Sequence, residues 1–303
     1  MVSMMGRAQA NLLLLLAGAV WGAGFVAQST AMNDIGPFYF IGLRFVLATL
    51  VCLPFALIEA RRAPSRLDRA SITGFAWIGL VLFLGMASQQ VGLLSTSVTN
   101  SGILTGLYVI CVPVLSVIFL RQRPHTVIWP ASAVAFGGIW LLSSGKMTGL
   151  SSGDLLTILC AVFFAIQVTL IGYFGQSSGR PLALSSVQFA ICAALALGVA
   201  MAIAPIAVDV VVAAAPEILY AGIFASGLAF SLQAVGQRYT TPAQAAICLS
   251  SEALFAALFG AILLSERFTM AGYFGCLLIF LAILAVEIVP PTRNKLMRDH
   301  AAD

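Results

Sequence analysis

The stretch YFIGLRFVLATLVCLPFALI, residues 39–58, runs for twenty residues with a single charge, Arg44. A helix of that length rises about 30 Å, which is the thickness of the hydrocarbon core of a bilayer. Similar runs recur along the whole chain, which is 61% hydrophobic and only 9% charged. Soluble domains carry about a quarter charged residues. The sequence therefore predicts an all-α integral membrane protein.

Ten apolar runs are predicted to cross the membrane as helices, and the connections between them are too short to hold a soluble domain. The predicted spans are residues 11–32, 37–58, 72–93, 97–120, 126–144, 154–175, 181–204, 217–237, 242–264 and 270–289.

Lysine and arginine are distributed unevenly over the connecting loops. With the N-terminus in the cytoplasm, twelve of the fifteen basic residues fall on the cytoplasmic side. The exceptions are Lys146 and Arg267 in the opposite loops and Arg44 within a span. Because short cytoplasmic loops are enriched in Lys and Arg, both termini are predicted to be cytoplasmic.

The two halves of the chain resemble each other in sequence. At an offset of 144 residues, YFIGLRFVLA from residue 39 aligns with ALSSVQFAIC from residue 183, and Arg44 falls on Gln188. Gln89 falls on Gln233 at the same offset. The first span aligns with the sixth at an offset of 142, which places Trp21 on Phe163.

Each half contains five spans, so the second half enters the membrane from the opposite side. The predicted fold is ten transmembrane helices arranged as two inverted five-helix repeats, residues 11–145 and 153–290, followed by a cytoplasmic tail at 291–303. Inverted repeats around a midplane site are typical of secondary transporters that work by alternating access.

Several functional classes lack their motifs in this sequence. SSGKM, residues 143–147, has the Gly-Lys pair of a phosphate loop but neither its earlier glycine nor its Ser/Thr. The six cysteines are scattered through apolar runs without metal-ligand or disulfide spacing. No paired carboxylates or catalytic triad occurs at membrane depth. We therefore predict no enzyme, no metal, no cofactor and no nucleic-acid partner; a channel is disfavoured because no selectivity-filter sequence is evident.

Four segments together resemble the EamA-type branch of the drug/metabolite transporter superfamily. They are AVWGAGFVA (19–27), GLRF (42–45), SVTNSGILTGLYVICVPVLSVIFLRQRP (97–124), and the ninth span with Glu252 followed by LLSERFT (263–269). The resemblance covers residues 11 to 290 and is nearest to bacterial exporters of aromatic and other amino acids. It implies a multi-pass protein of the bacterial inner membrane that exports small metabolites. One departure is Ala253, because the family usually has proline directly after the glutamate.

Glu252 is the first candidate for a substrate-binding residue. It lies about ten residues into its span, so it sits roughly 15 Å deep, near the midplane. A carboxylate there costs about 3 kcal/mol and is a functional-site hypothesis by default. Glu252 is predicted to meet a substrate ammonium group or to carry a proton; the alternative is a structural carboxylic acid bonded to a neighbouring helix.

Arg44 lies roughly 10 Å from the outer end of its span. We expect it either to extend its side chain outward or pair with a carbonyl, which we prefer, or to bind a substrate carboxylate at an external gate. With one basic residue at depth, the chain is unsuited to phosphorylated substrates.

The remaining candidates mix aromatic and neutral polar groups, as an aromatic zwitterion requires. For each of them the alternative is helix packing or interhelical hydrogen bonding. Pro113, inside the fourth span, is expected to kink its helix and either act as a hinge or shape the packing. The predicted substrate-binding set, with Glu252 and Arg44, includes Tyr108, Trp21, Gln89, Gln233, Phe163, Gln167 and Asn100.

The predicted function is a secondary transporter that exports small metabolites, with amino acids including aromatic ones as the leading substrates. An exporter of drugs or other hydrophobic metabolites is the rival within transport. A membrane receptor or scaffold without net transport is the rival from another class. The predicted partners are a small-molecule substrate and the lipid bilayer. The sequence leaves the oligomeric state open, a monomer included, as it does the direction of transport and proton coupling.

Overall fold

A computed structural model of the chain describes residues 5–31, 35–96, 98–121, 124–142, 151–203, 205, 208–263 and 269–288. These ranges contain helices and no strand. The helices are α1 (Arg7–Ala31), α2 (Pro37–Arg62), α3 (Arg69–Gly92), α4 (Val98–Thr105), α5 (Tyr108–Ile118), α6 (Ile128–Leu142), α7 (Ser152–Ser178), α8 (Pro181–Ile203), α9 (Val208–Ala213), α10 (Ala215–Tyr220), a π-helical turn (Ala221–Leu228), α11 (Ala229–Gln237), α12 (Pro242–Leu249), α13 (Ser251–Leu263) and α14 (Met270–Ile288).

These helices form the ten predicted membrane crossings. Within the described ranges, eight stretches are long and apolar enough to cross a bilayer. The shorter apolar helix α6 and the 25-residue helix α1 complete the set. Three crossings are composite: α4 with α5, α10 through α11, and α12 with α13. The predicted span ends at residues 32, 97, 144, 204, 264 and 289, and the tail 291–303, lie outside the described residues.

The helix packing has the two-fold pattern of an inverted repeat. Helix α2 packs against α8, and α6 against α14, so equivalent helices of the two halves meet each other. Helix α3 packs against α7 in the same way as α11 packs against α1. The equivalent rings of Phe45 and Phe189 meet with centroids 5.7 Å apart. The predicted inverted arrangement is confirmed.

Glycines bring these helices into direct backbone contact. A Cβ added at Gly138 in α6 would lie 2.7 Å from the carbonyl oxygen of Gly275 in α14. A Cβ added at Gly275 would lie 2.5 Å from the carbonyl oxygen of Gly138. Neither position has room for a side chain, and such close approach is how membrane helices associate without a hydrophobic driving force.

The same contacts correct the register between α1 and α7. Gly92 of α3 packs on the carbonyl of Gly153 of α7, and a Cβ at Gly92 would lie 2.9 Å from it. Its equivalent, Gly236 of α11, packs on the carbonyl of Ala10 of α1, where a Cβ would lie 3.0 Å away. Ala10 therefore matches Gly153, so α1 and α7 are related by 143 residues and the sequence-based offset of 142 is wrong. Apolar helices tolerate such a slip in alignment because many residue types satisfy a lipid-facing or packed position.

Gly18 and Gly22 pack helix α1 onto α13, as intramolecular small-residue contacts. A Cβ at Gly22 would lie 2.6 Å from the backbone nitrogen of Ala256 and 2.8 Å from the carbonyl oxygen of Glu252. Gly18 lies against the side chain of Ser251 and, for an added Cβ, 3.1 Å from the backbone nitrogen of Glu252. The crossing thus fixes the backbone on both sides of Glu252.

We expect Gly22→Ala to lower the thermal stability of the purified protein, because its methyl group would overlap backbone atoms that belong to a helix. Overpacking of this kind costs about 1–3 kcal/mol. Gly137→Ala is the matched control: it lies inside α6 with no atom within 4 Å of an added Cβ. Its midpoint should stay the same or rise. Equal midpoints for the two variants would contradict the close α1–α13 crossing.

Candidate functional site

A cavity opens where the helices of the two repeats meet. It encloses about 650 Å³ of empty space, part of it continuous with solvent. Its walls come from seven of the ten crossings and carry aromatic rings, amides and two ionisable groups of opposite charge. The lining residues are Trp21, Gly24, Arg44, Met86, Gln89, Thr105, Tyr108, Phe164, Gln167, Val168, Ala225, Phe230, Gln233, Leu249 and Glu252.

Most lining residues form pairs related by the internal repeat. The cavity therefore straddles the pseudo-two-fold axis, as a site used from both sides of the membrane must. The members of most pairs differ in chemistry, which makes the cavity itself asymmetric. The pairs are Met86 with Phe230, Gln89 with Gln233, Thr105 with Leu249, Tyr108 with Glu252, and Trp21 with Phe164.

Glu252 lies just after an interruption of the ninth crossing. Helix α12 ends at Leu249, Ser250 forms the junction, and α13 begins at Ser251. The backbone N–H of Ala253 donates to the carbonyl of Ser250 at 3.1 Å, a tighter turn than the α-helix has. Glu252 thus occupies the first turn of α13, where the positive end of the helix dipole favours a carboxylate. The interruption supplies electrostatic support for Glu252 at the midplane.

The fourth crossing is interrupted at the equivalent place. Helix α4 ends at Thr105 and α5 begins at Tyr108, with Gly106 and Leu107 forming the junction. Gly106 is 144 residues before Ser250, so both interruptions precede a cavity-lining residue. Discontinuous helices of this kind form the midplane sites of many transporters.

The expected kink at Pro113 is displaced in the structure. Helix α5 continues through Pro113 to Ile118, and the chain is interrupted at Gly106 and Leu107 instead. Gly106 permits this because a Cβ there would lie 2.9 Å from the side chain of Ile139. The role of Pro113 as a hinge stays a prediction.

Arg44 is buried in the cavity wall, with 3% of its surface exposed. Its Nε donates to the hydroxyl of Ser226 at 2.8 Å. Its guanidinium carbon lies 5.6 Å from the ring centroid of Phe40 and 5.3 Å from that of Phe45. Its Nη1 has no hydrogen-bond partner among the described residues. The preferred expectation of an outward-extended side chain or a carbonyl partner is wrong, because the two rings and Ser226 hold the guanidinium inside.

Amide side chains form a polar path on the side of the cavity opposite Gln89. Gln233 Nε2 donates to Gln167 Oε1 at 3.4 Å, and Gln167 Nε2 donates to Gln188 Oε1 at 3.3 Å. Gln188 is the repeat equivalent of Arg44, so a neutral amide stands where the other half has a cation. On the other side, Gln89 donates to the hydroxyl of Thr105 at 3.2 Å.

Trp21 joins the aromatic wall to the π-helical turn. Its indole nitrogen donates to the carbonyl of Ala225 at 2.7 Å. Its ring meets Phe230 with centroids 4.7 Å apart at an interplanar angle of 62°, an edge-to-face arrangement. Phe230 continues to Phe45 and Phe189, with centroids 6.1 Å apart in each case. The wall is therefore fixed by ring contacts rather than by one side chain.

Seven of the nine predicted binding residues line the cavity, and Phe163 and Asn100 do not. Phe163 lies beside Gly85 of α3, and its neighbour Phe164 takes the cavity position. A one-residue error in register turns a helix by about 100°, which accounts for the miss. Asn100 donates to Asp154 at 3.4 Å, near the start of α4 and α7.

The sequence reasoning also missed several lining residues. Met86, Phe230 and Thr105 are ordinary apolar or small polar residues in the sequence, and only their positions distinguish them. Met86 and Phe230 lie three residues before the predicted Gln89 and Gln233, on the same helix face. A search along helix faces from the predicted residues would have found them.

Comparison with known proteins agrees with this architecture. The model of the EamA-like transporter family matches residues 8–144 and 151–288, one copy in each repeat. The chain belongs to the EamA-like transporter family. It is a multi-pass membrane transporter of the EamA type.

Individual relatives are transporters by name without a stated substrate. The chain is 31% identical over 282 residues to an uncharacterized transporter of Archaeoglobus fulgidus, covering 93% of this chain and 87% of that protein. It is 26% identical over 296 residues to the uncharacterized transporter YwfM of Bacillus subtilis, covering 92% and 94%. A solved crystal structure shares the fold with a TM-score of 0.74 at 15% identity, covering 93% and 98%.

Two adjacent glutamines of α3 allow a matched test of the cavity wall. Gln89 lines the cavity, whereas Gln90 is fully buried and neither of its amide atoms has a partner among the described residues. We expect Gln90→Leu to keep transport and to hold or raise thermal stability, because it removes an unsatisfied buried amide. Gln89→Leu should lower transport by about tenfold, the effect of losing one hydrogen-bonding group.

The measurement is substrate counterflow in proteoliposomes together with thermal unfolding of each variant. A larger transport defect in Gln90→Leu than in Gln89→Leu would contradict the assignment of the wall.

Proposed function

We propose that this EamA-type transporter exports amino acids, including aromatic ones, by alternating access around the central cavity. The observation that carries the proposal is the pairing of one cation and one carboxylate, Arg44 and Glu252, in the wall of a cavity otherwise lined by rings and amides. An α-amino acid presents one carboxylate and one ammonium group next to an apolar side chain, which is the complementary set.

Neither charged group is neutralised by a protein partner of opposite charge. Among the described residues the structure has one ion pair, Arg180 with Glu59 at 3.6 Å, and it lies at the ends of α8 and α2, outside the cavity. Buried charges in membranes are costly unless they are paired. A bound zwitterion would supply a counter-charge to Arg44 and to Glu252 at once.

The aromatic rings of the cavity support an aromatic or large apolar substrate side chain. Trp21, Tyr108, Phe164 and Phe230 all contribute to the wall. Ring contacts of this kind stabilise by about 0.5–1.5 kcal/mol each beyond the burial of area. The same rings favour a second candidate, an exporter of drugs or other hydrophobic metabolites, for which the charged pair would be dispensable.

The orientation of the protein follows from its charge distribution. Arg7 of α1 donates to the carbonyl of Val286 in α14, so both ends of the described chain lie on one face. The basic loops lie on that face, which we assign to the cytoplasm of a bacterial inner membrane. Export would then carry the substrate from the face that holds the termini to the opposite face.

Counterflow tests this function directly. Proteoliposomes preloaded with unlabelled phenylalanine should accumulate labelled phenylalanine above protein-free liposomes. Absence of accumulation, with correct insertion shown by protease protection of the tail, would contradict amino-acid transport. The same assay with a hydrophobic cation that lacks a carboxylate would then test the second candidate.

Substitution of the two charged residues should separate their roles. We expect Glu252→Gln to weaken transport of phenylalanine by at least about tenfold, because a charge-assisted hydrogen bond to the ammonium group is lost. Arg44→Gln should weaken phenylalanine more than phenylalanine amide, which has no carboxylate to bind.

Phenylpropanoate, which lacks the ammonium group, is the control ligand for Glu252→Gln and should be affected least. Equal losses for acid and amide in Arg44→Gln would assign Arg44 a structural role. An unchanged transport rate and pH dependence in Glu252→Gln would remove Glu252 from the site.

A further inference from the structure

The eighth crossing contains a π-helical turn, Ala221–Leu228, beside the cavity. The backbone N–H of Ala229 donates to the carbonyls of Phe224 and Ser226 and so bypasses that of Ala225. In a regular α-helix Ala225 would be its partner. The π-helical turn occurs in one repeat and has no counterpart in the equivalent part of α3, which is α-helical throughout.

The π-helical turn holds one residue more than the matching part of α3. Gly79 of α3 packs on α8, where an added Cβ would lie 2.9 Å from the carbonyl oxygen of Gln188 and 2.7 Å from the Cβ of Ile191. The equivalent contact in the other half is made by Gly222. An added Cβ there would lie 3.0 Å from the carbonyl oxygen of Arg44 and 2.7 Å from the Cβ of Leu47.

The offset therefore changes within the turn. Arg44 matches Gln188 at 144 residues, but Gly79 matches Gly222 at 143. Beyond the π-helical turn the offset is 144 again, since Met86 and Phe230 occupy equivalent places in the cavity. One residue has been added between these points, and the wider turn absorbs it.

The added residue redirects two polar groups toward the cavity wall. The carbonyl of Ala225, bypassed by Ala229, accepts the hydrogen bond from the Trp21 indole. The hydroxyl of Ser226 accepts from Arg44 Nε, while Arg44 Nη1 has no partner among the described residues. In the other repeat Leu82, 144 residues before Ser226, is buried and packs in an apolar cluster.

We propose that the π-helical turn adapts one half of a symmetric cavity to bind a carboxylate, with Ser226 as the residue that positions Arg44. By holding Nε, Ser226 fixes the plane of the guanidinium and leaves Nη1 for a carboxylate oxygen of the ligand. Trp21 is fixed at the same turn through Ala225, so the aromatic wall and the anion-binding group are set together. This inference rests on the proposed amino-acid transport and names the element that gives it carboxylate selectivity.

The test is equilibrium binding by isothermal titration calorimetry to the purified full-length protein. The ligands are phenylpropanoate, which has only the carboxylate, phenethylamine, which has only the ammonium, and phenylalanine, which has both. Ser226→Ala removes the hydroxyl, and Ser226→Thr is the matched control because it keeps the hydroxyl with one added methyl group.

Ser226→Ala should weaken phenylpropanoate and phenylalanine by about tenfold, as expected for a hydrogen bond to a charged group, and leave phenethylamine within about twofold. Ser226→Thr should recover most of the affinity for the two acids. A merely structural role would weaken all three ligands alike, so an equal loss would overturn the proposal. So would unchanged binding of phenylpropanoate in Ser226→Ala.

The two proposals can fail separately in this design. A wild-type protein that binds no phenylpropanoate overturns the carboxylate assignment even where phenylalanine counterflow is observed. A wild-type protein that binds phenylpropanoate through Ser226 but shows no phenylalanine counterflow supports the carboxylate assignment and contradicts amino-acid transport.

Discussion

Direct backbone contact between helices is the interaction on which the rest of this structure depends. The bilayer offers no hydrophobic driving force for helix association, so close packing has to supply it. Gly138 with Gly275 joins the equivalent helices α6 and α14, and Gly18 and Gly22 set α1 against the backbone of α13. The second of these crossings also holds Glu252 in place. Packing and site are therefore one feature of the chain.

The cavity combines a symmetric frame with asymmetric chemistry. Inverted repeats allow a midplane site to be exposed alternately on the two sides, because each half can take the role of the other. Recognition of a polar solute needs the opposite, with different groups at different places. The chain meets both demands by keeping equivalent positions and changing their side chains, as in Tyr108 and Glu252, or Gln188 and Arg44. The π-helical turn extends this to the backbone.

Much of the fold could be predicted from the sequence because a membrane limits the choices. Twenty-residue apolar runs have one stable form in lipid, and five of them per half force the repeat to invert. The loss of one residue in the α1–α7 register could not be seen, since apolar side chains match at many offsets. The helix interruptions at Gly106 and Ser250 carry weak local signals, and Pro113, the stronger signal, lies inside a continuous helix. Arg44 and Glu252 were recognisable because charge at membrane depth is rare, whereas Met86, Thr105 and Phe230 gain their meaning only from packing.

The central claim is that a zwitterion bridges the two charged groups of the cavity wall. The most direct measurement is a structure of the protein determined with bound phenylalanine. The account predicts the ammonium group within hydrogen-bonding distance of the Glu252 carboxylate and the carboxylate at Arg44, with the ring against Trp21 and Phe230. Phenylalanine bound with its carboxylate away from Arg44, or bound outside this cavity, would contradict the account.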